Sequence, residues 1–158
     1  MTRLPKASSP ISPRTKNAPT LALAFAGIIV VFAVAQLFSF EDLIGLFESF
    51  WMPGGIRFAH FLVALLVIVE VFSLPFLLRI RVSLAMRLFS MMCTWLVAGI
   101  WLYISLWLMV STNAVSNIGF LGTVIKLLPG WWSVLVSVGL AVLAGWSSWG
   151  MWPLRTRK

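Results

Sequence analysis

The chain has 158 residues, a length typical of one domain, and 61% of them are hydrophobic whereas only 10% are charged. Soluble domains carry about 25% charged residues, so this composition predicts an integral membrane protein. The formal net charge of +8 lies in segments that flank long apolar runs, which favours anionic lipid headgroups over nucleic acid as the partner.

The order of polar and apolar segments predicts four membrane spans. Residues 1–19 contain four prolines and four basic residues, a composition typical of a disordered basic tail. Each apolar run that follows is close to the ~20 residues that a helix needs to cross a bilayer. The runs are 21–40, 58–78, 88–110 and 131–152, which define a transmembrane domain at 20–153 before a basic C-terminus at 154–158. We therefore predict an all-α integral membrane four-helix bundle.

The first apolar run contains a sequence that resembles a signal-peptidase site, at Ala33, Val34 and Ala35. The run continues past it to Phe40, and the basic tail before it is long. We therefore expect this segment to be retained as the first span.

The link between the first two runs predicts a short amphipathic helix at the membrane interface. Apolar side chains recur there at helical spacing, with acidic residues at other positions; they are Leu43, Leu46, Phe47 and Phe50. Ser39 and Asp42 have the spacing of a capping box, which would start this helix. A connector at the mouth of the bundle is the favoured interpretation, and a substrate lid is the alternative.

Glu70 lies near the middle of the second run, where a charge costs ~2.5–3.5 kcal/mol on insertion scales. Its face of the helix should therefore point into the bundle. Because no lysine or arginine lies within any of the four runs, we expect a neutral, protonated acid that donates a hydrogen bond. Pro75, one turn further on, should kink this span and free a backbone carbonyl.

Depth in the membrane suggests which residues lie beside Glu70. The functional interpretation is a proton relay, an ion site or a headgroup site, and the structural one is a neutral acid that joins helices. Both remain open. One possible neighbour, Ser73, lies on the next turn of the same helix. The others lie at a similar depth when residues are counted from the basic ends of the third and fourth spans; they are Cys93, Thr94, Trp146 and Ser147.

The remaining features of the spans favour packing over chemistry. A stripe of small residues on the fourth span predicts close helix packing at Ser133, Ser137, Ala141 and Gly145. Trp101 lies near mid-membrane, where core filling is the default and a quinone or lipid contact the alternative. His60 lies near the end of its span and is expected at the interface rather than in a ligand set.

Several classes of chemistry are excluded within a single chain. One cysteine and one histidine cannot form an intramolecular disulfide, a structural zinc site or a bis-histidine haem site. The chain has no phosphate loop, nucleophile elbow or paired carboxylates in its spans. We therefore predict no metal site and no evident cofactor, and we favour a non-catalytic role over an enzyme.

The distribution of charge predicts the orientation. With four spans, ten of the twelve basic residues fall on the side of the two termini, and only Arg57 and Lys126 fall on the other. The positive-inside rule then places both termini in the cytoplasm.

Three stretches resemble the DoxX/MauE-like family of small four-helix bacterial membrane proteins. They are QLFSFED at 36–42, WMPG at 51–54 and VEVFSLP at 69–75, and the resemblance spans about residues 20–152. It implies the bacterial cytoplasmic membrane, a role accessory to membrane redox chemistry or protein maturation, and a functional Glu70. Many relatives have a basic residue where this chain has Gln36.

The same resemblance makes a quinone the candidate cofactor. It adds a membrane or extracytoplasmic protein to the lipid bilayer as a candidate partner, and a second copy of the chain is another. Two other functions stay open: a proton-coupled small-molecule transporter that uses Glu70, and a structural subunit that anchors another protein.

Overall fold

The computed structural model describes residues 12–111 and 115–152, which contain five helices. Residues 1–11 of the predicted tail at 1–19, and the predicted C-terminal segment at 154–158, lie outside the described residues. Four helices are long and apolar enough to cross a membrane, and a short one follows the first, so the predicted all-α four-helix architecture is confirmed. The helices are α1 (Ala18–Phe38), α2 (Phe40–Glu48), α3 (Gly55–Leu77), α4 (Leu84–Val110) and α5 (Trp131–Gly150).

The four long helices close into a ring. α3 packs against α4, α4 against α5, and α1 contacts both α3 and α5, while α2 packs on α3. The backbone N–H of Arg14 donates to the carbonyl of Gly150 at 2.9 Å, so the ends of the first and last helices meet. The start of α1 and the end of α5 therefore lie at one end of the bundle, and α2 lies at the other end.

Three helices, α1, α3 and α4, begin earlier than their apolar runs predict. α1 starts at Ala18, because Pro19 is tolerated in the first turn, where its missing N–H has no intrahelical acceptor. α4 starts at Leu84, because the Ser83 hydroxyl accepts a hydrogen bond from the N–H of Met86 at 3.3 Å and caps the helix. The basic Arg87 therefore lies inside α4.

α2 is present, but the predicted capping box is wrong. Ser39 precedes the helix, yet its hydroxyl donates to the carbonyl of Ala35 at 3.0 Å and accepts from the N–H of Thr123 at 3.0 Å. The side chain therefore joins the end of α1 to the segment before α5. The buried side chains of α2, Leu43 and Phe47, face the rest of the protein, as its amphipathic pattern predicts.

Residues 115–128, here called the inserted loop, turn back into the mouth of the bundle. Asn117 organises the loop: its amide oxygen accepts from the N–H groups of Gly119 and Leu127, and its amide nitrogen donates to the carbonyl of Gly122. Phe120 is almost fully buried. Non-helical backbone can enter the apolar region where its polar groups are bonded within the protein, as those of Gly119, Gly122 and Leu127 are here.

Gly122 allows the inserted loop to approach α1. Its φ is +61°, in the left-handed region, and a Cβ at this position would lie 2.7 Å from the carbonyl oxygen of Ala35. Only glycine fits both conditions without displacing the backbone.

Ser90 of α4 binds the backbone of α3 on both sides of Pro75. Its hydroxyl accepts from the N–H of Phe76 at 2.8 Å and donates to the carbonyl of Ser73 at 3.1 Å. α3 continues through Pro75 to Leu77, so the proline does not end the helix. The Ser90 hydroxyl thereby joins α4 to the backbone of α3 beside the proline.

Candidate functional site

Glu70 lies at the centre of the bundle. Its side chain has no solvent exposure, and neighbouring positions on the same face of α3, including Leu66, Val67 and Ser73, are also buried. α3 therefore directs the acid away from the lipid-facing surface, as its cost in hydrocarbon requires.

One oxygen of the Glu70 carboxyl accepts two hydrogen bonds. Oε1 accepts from the amide nitrogen of Gln36 on α1 at 3.2 Å and from the indole nitrogen of Trp101 on α4 at 3.1 Å. Both donors are fully buried and uncharged. The acid thus joins three helices, and these two bonds offset part of its burial without a cation.

Gln36 extends this network to the inserted loop. Its amide nitrogen also donates to the backbone carbonyl of Phe120 at 3.2 Å. Because both bonds leave from the same nitrogen, the amide bridges the carboxyl of Glu70 and the loop. We call Gln36, Glu70, Trp101 and Phe120 the Glu70 cluster.

Aromatic rings enclose the cluster on the side of the inserted loop. The rings of Trp101 and Phe120 have centroids 4.4 Å apart, and Phe32 of α1 lies 5.4 Å from Phe120. Trp132, at the start of α5, lies 5.9 Å from Phe120. The loop is therefore held by aromatic packing as well as by the Gln36 hydrogen bond.

Two buried polar atoms of the cluster have no hydrogen-bond partner among the described residues. They are Oε2 of Glu70 and the amide oxygen of Gln36. A protonated carboxyl could donate from Oε2, whereas the amide oxygen only accepts. A group that both accepts and donates, such as water or a hydroxyl, has the chemistry to satisfy both atoms.

The residues expected beside Glu70 make other contacts. The Ser73 hydroxyl donates to the backbone carbonyl of Glu70 at 2.7 Å, and the Thr94 hydroxyl donates to the carbonyl of Ser90 at 3.0 Å. Cys93 is a buried free thiol. The buried hydroxyl of Ser147 has no hydrogen-bond partner among the described residues, whereas Trp146 is 45% exposed and packs on a neighbouring tryptophan.

Trp101 was not among the expected neighbours of Glu70, because those residues were chosen by the depth of their backbone positions in the membrane. Trp101 follows Thr94 by two turns, about 10 Å along α4. A helical side chain points back towards the N-terminus of its helix, and an indole is long. The donor therefore reaches Glu70 from a Cα further along α4. A tryptophan in mid-span, whose N–H needs an acceptor, was the available signal.

Gln36 also has a signal in the sequence, as an amide within an otherwise apolar run. Its partner in the inserted loop, the Phe120 carbonyl, has none, because every residue carries such a group. Sequence alone therefore offers the side chains of the cluster but not their connection through the backbone.

At the start of α5, the small residues of the predicted stripe face α4. The hydroxyls of Ser105 and Ser137 are 2.9 Å apart, and the Ser105 hydroxyl lies 3.3 Å from the carbonyl of Ser133. Further along, Gly145 lies under the Trp95 ring, and Ala141 is half-buried. The polar bonds thus occur at one end of the stripe and a glycine–aromatic contact at the other.

His60 belongs to a separate polar pair. Its Nε2 lies 2.5 Å from Oε1 of Glu48, and both side chains are partly exposed at the end of the bundle that holds α2. Within residues 12–111 and 115–152, no group of three or more potential metal ligands occurs.

Comparison with known proteins gives no family for this chain. No protein-family model, no curated protein and no solved structure matches it. The function must therefore be inferred from the Glu70 cluster itself.

Proposed function

We propose that this small integral membrane protein is of the DoxX/MauE type and serves an accessory role in membrane-associated redox chemistry or protein maturation. The observation that carries the proposal is the Glu70 carboxyl, buried among three helices and linked through Gln36 to the inserted loop. Intramembrane acids that face a bundle interior are commonly functional. Through Gln36, a ligand that binds at Glu70 can change the position of the inserted loop, which a partner protein can contact.

The chain supplies no obvious redox group of its own, which supports an accessory role. Cys93 is the single cysteine in the sequence, and it is buried within α4. Electron transfer would therefore depend on a partner protein or on a bound quinone. A quinone oxygen is chemically suited to accept a hydrogen bond from a protonated Glu70, whose Oε2 has no partner among the described residues.

The experiment is purification of the full chain from bacterial membranes, followed by quantification of extracted quinone and of co-purified redox proteins. We compare the wild type with Glu70→Gln and with Glu41→Gln, which makes the same chemical change at an exposed position of α2. Retention of quinone or a redox protein that Glu70→Gln abolishes and Glu41→Gln preserves supports the proposal. Absence of both quinone and a redox protein contradicts the proposal. Retention that is the same in the wild type and in Glu70→Gln also contradicts it, and that result favours a membrane anchor.

A proton-coupled transporter is the second candidate, favoured by the unpartnered Oε2 of Glu70. A carboxyl with one free oxygen can exchange a proton for a cationic substrate. The test is pH-dependent binding of a lipophilic cation to the purified protein, measured for the same variants. Binding that Glu70→Gln abolishes would favour transport over the accessory role.

For orientation, we propose that the end of the bundle where α1 begins and α5 ends faces the cytoplasm of a bacterial cell. The support is the charge distribution. Ten of the twelve basic residues lie in the N-terminal tail, in the α3–α4 link, near the start of α4 and at the C-terminus. Protease digestion of a C-terminal tag in intact spheroplasts tests this. Protection of the tag is expected, and cleavage would contradict the orientation.

A further inference from the structure

A cavity of about 540 Å³ opens between the end of α2 and the start of α3, apart from the Glu70 cluster. Its size falls within the range of small-molecule sites, roughly 300–1,000 Å³. Buried apolar side chains line its depth, and exposed residues stand at its rim. The deep residues are Phe47, Met52 and Ala59, and the rim residues are Glu48, Trp51 and Ile56.

The rim of this cavity holds a positioned carboxylate. Oε1 of Glu48 lies 2.5 Å from Nε2 of His60, which comes from the second turn of α3. The side chain of Glu48 is nevertheless 37% exposed. The carboxylate is therefore fixed across the α2–α3 junction while it remains accessible to a cationic group.

Trp51 is held at the same rim in a strained conformation. Its φ is +49°, which bulky residues rarely adopt, and its side chain is 77% exposed. The turn is fixed on both sides: the Trp51 N–H donates to the carbonyl of Glu48 at 3.3 Å, and the Phe50 carbonyl accepts from the indole of Trp107 at 2.9 Å. Such strain persists where the surrounding structure imposes it, often at binding sites.

The position of the cavity relates it to lipid headgroups. Gly55 begins a spanning helix and also lines the cavity, so the rim lies where an apolar span starts. Exposed tryptophans are typical of this level of a membrane protein. A carboxylate and an indole face together suit a primary ammonium, and the apolar depth suits hydrocarbon.

We propose that this cavity binds a phospholipid with a primary ammonium headgroup, of the phosphatidylethanolamine class. The Glu48 carboxylate accepts hydrogen bonds from the ammonium, the Trp51 ring covers it, and the groove over Phe47 and Ala59 takes the start of an acyl chain. The site does not include Glu70, so this proposal and the proposed function are tested independently.

Native mass spectrometry of the full chain tests the proposal. The protein is purified in detergent with equal amounts of phosphatidylethanolamine and phosphatidylglycerol, which lacks the ammonium. We expect the wild type to retain the ethanolamine lipid in about fivefold excess, a ratio typical of one carboxylate or cation–π contact. Glu48→Gln and Trp51→Ala should each bring the ratio close to one.

Two controls separate recognition from loss of structure. Glu41→Gln removes a neighbouring exposed acid of α2 and should keep the excess. His60→Ala removes the partner of Glu48 but leaves the carboxylate, so it should keep a preference for the ethanolamine lipid. Equal retention of both lipids by the wild type, or an unchanged ratio in a Glu48→Gln protein with wild-type thermal stability, overturns the proposal.

Discussion

Gln36 and Glu70 are joined by a buried hydrogen bond of 3.2 Å between an amide nitrogen of α1 and a carboxyl oxygen of α3. The same nitrogen donates to the Phe120 carbonyl at 3.2 Å. The acid in the middle of the bundle is therefore connected to the loop that fills its mouth. A single side chain, two residues before the end of α1, makes this connection.

A double-mutant cycle should detect the coupling between these residues. Gln36→Leu and Glu70→Leu each leave a buried partner unsatisfied and should each lower the free energy of unfolding by about 1–3 kcal/mol. The double variant should cost less than the sum of the two, because it removes both partners. Chemical unfolding in detergent, followed by circular dichroism, measures the cycle, and strict additivity would contradict the direct bond.

Trp101→Phe tests the second donor to Glu70. The change keeps an aromatic ring in the core but removes the indole N–H that lies 3.1 Å from Oε1. If Glu70 is protonated, its carbonyl stretch should shift to higher wavenumber in the infrared spectrum, since a hydrogen bond to that oxygen is lost. Trp146→Phe, at a half-exposed site, is the control and should leave the band in place.

Gly122→Ala should destabilise the protein, because its Cβ would meet the Ala35 carbonyl and the φ of +61° disfavours alanine. We expect a loss of about 1–3 kcal/mol, the cost of a strained backbone position. Gly27→Ala is the matched control, since nothing lies within 4 Å of a Cβ there. Thermal unfolding of both variants measures the difference, and equal melting temperatures would show that the loop does not approach α1 this closely.

Ser90→Ala should loosen the contact between α3 and α4. The hydroxyl accepts from Phe76 and donates to Ser73, so its loss leaves two buried backbone groups without this partner. We expect the free energy of unfolding to fall by about 1–3 kcal/mol. Ser111→Ala removes one long hydrogen bond of 3.4 Å at the end of α4 and should cost much less. A comparable effect of the two changes would contradict the role of Ser90.

The architecture could be predicted because lipid imposes simple requirements on sequence. Apolar length identified all four spans, and the cost of a buried acid placed Glu70 on the inner face of α3. The short α2 was likewise visible in the spacing of Leu43 and Phe47. Each of these features depends on side chains close together in the sequence.

The partners of Glu70 could not be predicted in the same way, because they depend on distant contacts. The Gln36 and Phe120 groups that meet are 84 residues apart, and one of them is a backbone carbonyl. The capping box failed partly for this reason: Ser39 has the right spacing, but its hydroxyl donates to the Ala35 carbonyl one turn back and accepts from the N–H of Thr123, 84 residues away. Tertiary contacts thus override a local motif.

Hydrogen–deuterium exchange in the inserted loop tests most directly whether Glu70 holds that loop in the bundle. The amides of Ile118, Thr123 and Leu127 are hydrogen-bonded within the protein and should exchange slowly in the wild type. Glu70→Leu should accelerate exchange in the peptides that cover 117–127, and Glu41→Gln should leave them unchanged. Equal protection of this loop in the wild type and in Glu70→Leu would contradict the link from the acid through Gln36 to Phe120.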